Sequence, residues 1–180
     1  MTSTSELKHR ETNQNSMEEK WLWYLAGSFD SNATLKVKIQ SDDRYDTEYR
    51  AEPMIRYSRP DSVKQVHGMV DEYAEDVGAK VRFEELSNST RAVITNVESI
   101  RKFLEPLMPR LVQQYERAEV FLDEVLPLFE DGLPSTKEHF MEVVHAREKM
   151  NEYPIQGRDS KYDVEYFHRR WGKEVSEGLE

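Results

Sequence analysis

Tyr24 to Ile39 reads YLAGSFDSNATLKVKI, and the hydrophobic period changes in its middle. Up to that change, Met17 to Phe29 (MEEKWLWYLAGSF) has a helical pattern. Trp21, Leu22, Leu25 and Phe29 make one apolar stripe, with Tyr24, Gly27 and Ser28 on another face. From Thr34 to Gln40 the period is two. Leu35, Val37 and Ile39 point one way, and Thr34, Lys36, Lys38 and Gln40 the other. The stretch therefore predicts a helix that runs almost directly into an amphipathic strand.

Downstream, the polar run SDDRYDTE marks a turn, and alternation resumes over Tyr49 to Ser58. Ala51, Pro53, Ile55 and Tyr57 share one face; Arg50, Glu52, Met54, Arg56 and Ser58 share the other. Pro53 lacks the N–H a ladder needs, which points to an edge or a bulge. A helix follows in SRPDSVKQVHGMVDEYAEDVG, with Ser58 or Asp61 as N-cap. AKVRFEEL, SNST and RAVITNV then read as a second hairpin. Helices are predicted over Glu98 to Met108, Pro109 to Leu126, after a Ser135/Glu138 capping box, and over Tyr162 to Trp171. The order αββαββα with extra C-terminal helices gives an α+β class: a four-stranded antiparallel sheet, covered by helices on one face. We expect a domain over 17–172 between a disordered tail at 1–16 and a flexible terminus at 173–180.

With 180 residues there is room for one sizeable core. A hydrophobic share of 37 % and a mean hydropathy of −0.83 make that core lean and the surface strongly polar. The absence of cysteine excludes disulfides, thiol nucleophiles and Cys-based zinc sites. No apolar run approaches the roughly 20 residues of a membrane helix, and MTSTSELKHRETNQNS lacks a signal-peptide core. We therefore expect a soluble cytoplasmic protein with no membrane partner. Acidity with Arg outnumbering Lys is a compositional hint of a prokaryotic, salt-rich source.

A net charge of −10 weighs against nucleic acid, but the charge is segregated. Ala33 to Gln65 holds seven Lys/Arg against six Asp/Glu, whereas Glu119 to Asp131 has five acids and no base. The open strand face would carry Lys36, Lys38, Gln40, Arg44, Arg50, Arg56, Lys80, Arg82 and Arg91. A solvated face in so acidic a chain should be mostly acidic; this one is mostly basic, apart from Glu52 and Glu84. It reads as a nucleic-acid surface.

YLAGSFDSNATL, together with the helix–hairpin order, resembles the LAGLIDADG homing endonucleases, in particular the single-motif members that act as homodimers. FLEPLMPRL (Phe103 to Leu111) and LPSTKEHFMEVV (Leu133 to Val144) are similar to stretches at matching places in a homodimeric intron-encoded member. The likeness spans roughly Lys20 to Trp171. It implies a saddle-shaped sheet in the DNA major groove and a dimer interface on the motif helix at Tyr24, Ala26 and Gly27. It also implies base-facing side chains at Lys36, Lys38, Gln40, Arg44, Arg50, Glu52, Arg56, Arg82 and Arg91, with backbone contacts at Arg158 and Lys161.

The chemistry departs from the family. Its metal is held by the last acid of the motif, and that position is Asn32 here, whose amide oxygen brings no charge. Asp30 matches the earlier acid and reads as a polar helix-end group; Ser31 stands beside it. The supporting positions match Arg59, Val63 and Gln114 in place of a water-orienting Gln, a basic residue and a Lys. The resemblance thus implies a homodimeric, sequence-specific binder of a pseudo-palindromic duplex, serving as a regulator of transcription or a structural DNA-binder, with no cofactor. The alternative is an active intron-encoded endonuclease using Mg²⁺ at Asp30, Ser31 and Asn32; a third reading is an RNA-binding intron maturase. The five histidines lack ligand spacing, and Trp21, Trp23 and Trp171 read as packing residues.

Overall fold

The computed structural model describes residues 19–60, 64–153 and 161–172. Val63, Arg158, Asp61 as an N-cap, and the two expected terminal tails lie outside the described residues.

The first helix, α1 (residues 19–32), passes without a loop into β1 (Ala33–Ser41), as the change of period requires. Leu25, Ala26 and Phe29 face the core, and Phe29 meets both Tyr57 and Phe103 through ring contacts of 6.4 and 5.9 Å. A hairpin turn leads to β2 (Tyr49–Pro60), then come α2 (Lys64–Asp76), β3 (Arg82–Glu85), β4 (Ser89–Ile94) and α3 (Val97–Leu104). The sheet is antiparallel throughout, in the order β1-β2-β4-β3. Leu35, Ile55 and Ile94 form one core-facing row across it, and Ala33, Tyr57, Ala92 and Phe83 form the next. Pro53 lies inside β2, not at its end. It is tolerated because β4 pairs with β2 only from Ile55 onward, so at Pro53 the strand has β1 alone as neighbour.

The helical second half departs from the sequence reading. In place of one helix over Pro109 to Leu126 there is a 3₁₀ turn (Met108–Arg110), an extended Leu111, and α4 (Tyr115–Val120). A π-helical turn (Phe121–Val125) and a 3₁₀ turn (Leu126–Phe129) that carries Pro127 complete the segment. The break comes from a distant residue. Asp30 takes the backbone N–H groups of Val112, Gln113 and Gln114 and so fixes where α4 starts. The cap of α5 (Lys137–Asn151) is Thr136, whose hydroxyl accepts the His139 N–H, one residue later than the capping box placed it. The last helix is α6 (Val164–Trp171), capped by Asp163.

These helices hold the sheet where it is needed. The Arg117 guanidinium donates to Leu35 O on the edge strand β1 (2.9 Å), to Met150 O (2.9 Å) and to Tyr153 O (3.2 Å), tying β1 to the end of α5. The Tyr49 ring, at the start of β2, packs edge-on against Tyr162, Tyr166, Phe167 and Trp171. Its hydroxyl shares a 2.6 Å hydrogen bond with that of Tyr166, and burial pushes its pKa up to about 12. Glu48, just before it, has φ +61°, an uncommon conformation for a side-chain-bearing residue, and its carboxylate pairs with Arg170 of α6. The β1–β2 turn is therefore clamped by the C-terminal helix. Trp21 packs on Tyr73, and Trp171 lies in the aromatic cluster, but Trp23 is half exposed on α1 and not a core residue.

Candidate nucleic-acid interface

One face of the sheet collects most of the expected contact residues. Cross-strand register places Lys38 beside Glu52, Gln40 beside Arg50 and Lys36 beside Met54. A longer row runs Thr34, Arg56, Val93, Arg82, and the next runs Ser58, Arg91, Glu84. Six cations and two carboxylates share these rows, a net +4 in a chain of −10. Arg44 is in the β1–β2 turn, and Lys161 stands before α6 with its ammonium 5.0 Å from the Tyr162 ring centre. Lys80 precedes β3 and is not on a strand. Met54 and Val93 are buried on this otherwise polar face, an apolar floor under the long side chains.

The cations fall into two sets. Arg44 is locked to Asp42 through two short hydrogen bonds, which hold that carboxyl down at about 2. Arg50 pairs with Glu52 (3.0 Å), while Arg82 (2.7 Å) and Arg91 (3.4 Å) share Glu84. Lys36, Lys38 and Arg56 have no carboxylate partner among the described residues. Burial, then Arg56, Lys38 and Arg91, push the Lys36 pKa down; burial and Arg91 lower that of Arg56. Cations that repel each other in the free protein form a site that an anion relieves.

Where β1 leaves α1, a second constellation is built from the quoted stretch. Asp30 is 5 % exposed; its Oδ2 accepts from Val112 N (3.1 Å) and Gln113 N (2.8 Å), its Oδ1 from Gln114 N (2.7 Å). Gln114, 1 % exposed, donates from Nε2 to the carbonyls of Phe29, Asp30 and Ala33 at 2.9 to 3.1 Å, closing the C-terminal end of α1. Each side chain thus caps the other's segment. Asn32 donates from Nδ2 to Ser28 O (2.8 Å) and accepts the Arg59 Nη1–H at Oδ1 (3.1 Å). The Ser28 hydroxyl meets that of Tyr57 at 2.7 Å. Ser31 donates to Gly27 O (3.1 Å). This arrangement does not suit a hard divalent cation: Asp30 has both oxygens on backbone amides, and the Asn32 oxygen already faces a guanidinium.

On α1, residues Trp23 (51 % exposed), Tyr24 (53 %) and Gly27 follow one helical stripe toward Ser31. Ala26, expected on this face, turns the other way and is wholly buried in the subunit's own core. Val112 (81 %) follows the 3₁₀ turn, and its N–H bonds Asp30, so it extends the patch; Arg110 lies 5.8 Å from the Trp23 ring centre. Trp23 and Val112 escaped the sequence reading because a Trp in an amphipathic helix and a lone Val in a polar run carry no signal of exposure.

Among solved structures, the chain superposes on the homing endonuclease I-CvuI in complex with DNA, with a TM-score of 0.69 at 18 % identity over 88 % of this chain and 96 % of that one. It also matches the archaeal intron-encoded homing endonuclease I-Vdi141I complexed with DNA (TM-score 0.64, 16 % identity, 83 % and 93 % covered). The LAGLIDADG homing endonuclease I-SmaMI matches at a TM-score of 0.58 and 12 % identity; there the overlap is 79 % of this chain and 52 % of that one. The fold is that of the LAGLIDADG homing endonucleases. No protein-family model and no curated protein matches the sequence.

Asp30 to Asn32 form the end of α1, so the cap, the Asn32–Arg59 contact and the exposed stripe all lie on one element. None of the described helices is long and apolar enough to cross a membrane.

Proposed function

We propose that this chain is a member of the LAGLIDADG homing endonuclease family that binds a specific DNA duplex as a homodimer and does not cut it. The observation that carries the reading is the basic sheet face, where Lys36 is crowded by Arg56, Lys38 and Arg91 in an acidic protein. Lys36, Lys38, Gln40, Arg50, Glu52, Arg56, Arg82 and Arg91 face the bases from the strands, with Arg44 at the turn. Arg and Lys read guanine, Gln reads adenine and Glu reads cytosine. Lys161 contacts the backbone, and Arg158 is assigned the same role. The solved relatives I-CvuI and I-Vdi141I are complexes with DNA, which supports this partner.

Dimerisation is supported by Gly27. A Cβ there would meet nothing within 4 Å in the subunit, and a helix glycine costs about 1 kcal/mol relative to alanine. The subunit itself has no use for it; a second backbone crossing at Gly27 does. Tyr24, Trp23 and Val112 then bury their exposed rings and methyls against the partner copy. The chain matches nearly the whole of I-CvuI but only about half of I-SmaMI, as expected of a unit that must pair to be complete.

Loss of cleavage is supported by the capped state of Asp30 and by the neutral Asn32. Selection from a randomised duplex library, read for both binding and strand scission in Mg²⁺, tests the whole reading. Recovery of a pseudo-palindrome of about 20 base pairs left intact is the expected result. No preferred sequence refutes the binding assignment; staggered cuts refute the non-cleaving one; preference for structured RNA points to a maturase instead.

A further inference from the structure

We propose that Asn32 and Arg59 form a phosphodiester-binding site at the end of each α1, in which a fixed guanidinium grips the duplex backbone. This rests on the dimeric DNA-binding reading and adds a contact that lies off the open sheet face. Arg59 is in the core-facing register of β2, paired with Thr90, but near the strand's end, where α1 gives way to β1.

Arg59, like Arg56, Arg110 and Arg117, stands outside the ion pairs of the described residues. Arg44, Arg50, Arg82, Arg91, Arg101, Arg169 and Arg170 each have a carboxylate partner. Arg59 is half buried in a chain with 35 acids, yet no carboxylate among the described residues pairs with it. Its Nη1 donates to the amide oxygen of Asn32 at 3.1 Å. An amide oxygen accepts a proton and cancels no charge, so the guanidinium is oriented and stays a full cation.

The orientation is firm. Nδ2 of Asn32 is anchored on Ser28 O, which leaves Oδ1 facing Arg59. Nε of Arg59 is buried without a partner, and the Tyr57 hydroxyl lies beside the guanidinium. What remains is the outer Nη side of a planar fork, a geometry suited to two non-bridging phosphate oxygens. Asn32 directly follows Ser31, the last residue of the exposed α1 stripe. Pairing of two copies through that stripe therefore brings two such cations together near the two-fold axis, under the centre of a bound duplex.

An acid at position 32 would change this site in a defined way. A carboxylate there would pair with Arg59 and neutralise it, so Asn32→Asp alone gives an ion pair, not a metal ligand. Asn32 is thus a positioning residue that keeps Arg59 available.

The test measures anisotropy of a labelled, selected duplex with the full chain across a salt series, in EDTA and in Mg²⁺ at matched ionic strength. For the wild type, Kd differs by less than about twofold between the two, because the backbone is held by Arg59 without a divalent ion. Arg59→Gln weakens binding to all duplexes alike and flattens the slope of log K against log salt by about 2 per dimer, one phosphate per subunit at about 0.9 each. Arg59→Lys keeps most of that slope. Asn32→Asp loses it as Arg59→Gln does, whereas a merely structural Asn32 would leave it unmoved. An Arg59→Gln slope equal to wild type, while Lys36→Gln still flattens it, overturns the site and leaves the basic face standing. Mg²⁺-dependent tightening or scission on Asn32→Asp alone also overturns it. Failure of the wild type to bind any duplex sinks the parent reading instead.

Discussion

Replacing Asp30 by alanine separates a structural carboxylate from a catalytic one. The side chain accepts three backbone N–H groups from residues more than 80 positions away and sets the start of α4. Removing it orphans all three. Val112 and Gln113 are exposed residues whose amides water reaches, at about 1 kcal/mol each, whereas Gln114 is buried and its amide costs about 2 to 3 kcal/mol. The sum is about 4 to 5 kcal/mol, a large part of the 5 to 15 kcal/mol typical of a domain. For a chain of this length that lowers Tm by about 8 to 20 °C. Thermal and urea unfolding followed by circular dichroism, at one protein concentration so that dimerisation is held constant, measures it. Asp30→Asn keeps one acceptor and sets an amide N–H against a backbone donor, so it falls between the two. A Tm within about 2 °C of wild type for Asp30→Ala refutes the cap. So does a Mg²⁺-induced rise in the wild-type Tm that Asp30→Ala abolishes, since that identifies a metal ligand.

Gln114→Leu removes the donor that closes α1 and lowers stability by about 2 to 3 kcal/mol in the same unfolding assay. Gly27→Trp leaves the subunit folded, because the position is exposed and a Cβ there meets nothing within 4 Å, but halves the mass seen by light scattering to the 21.3 kDa monomer. Lys36→Met flattens the salt slope of duplex binding by about 2 per dimer and stabilises the free protein at neutral pH. The sign follows from the Lys36 pKa lying below 10.5 in the fold: the native state sheds its proton before the unfolded chain does. Wild-type stability therefore gains from this group as pH climbs toward 10.5, and urea titrations of Lys36→Met lack that gain. Glu84→Gln releases Arg82 and Arg91 together and raises affinity for unrelated duplexes more than for the selected one, as competition binding measures.

The legible part of this molecule was its local pattern. The change of period between Phe29 and Thr34, the alternation of β1 and β2, and the final helix are all short-range features. The chain folded accordingly, into an α+β unit whose basic residues share one sheet face. What the sequence hid depends on contacts across 80 residues. Nothing near Gln114 announces that an aspartate in α1 will cap its segment, so a continuous helix over Pro109 to Leu126 was the natural reading. Ala26 and Gly27 are both small and adjacent, yet one turns into the core and the other out; only the packing of Leu25 and Phe29 decides which. Pairing of Arg44, Arg50, Arg82 and Arg91 with nearby acids was equally invisible, since a count of cations along strands says nothing of their partners.

That pairing bears on how an acidic protein would discriminate among duplexes. Lys36, Lys38 and Arg56 are free to meet any phosphate or base edge, and their mutual repulsion favours any anion. Arg50, Arg82 and Arg91 are held by Glu52 and Glu84, and a base must replace a charge-assisted bond before it can recruit them. A guanine edge in the right register offers two acceptors and repays the exchange; a mismatched base offers one or none and leaves a carboxylate facing the duplex. The rest of the chain, which carries an excess of acids, adds a general repulsion that only the aligned face overcomes. Weak attraction everywhere else is then a condition for specificity, and the excess of acids that at first weighed against nucleic acid becomes part of how one sequence is chosen over another.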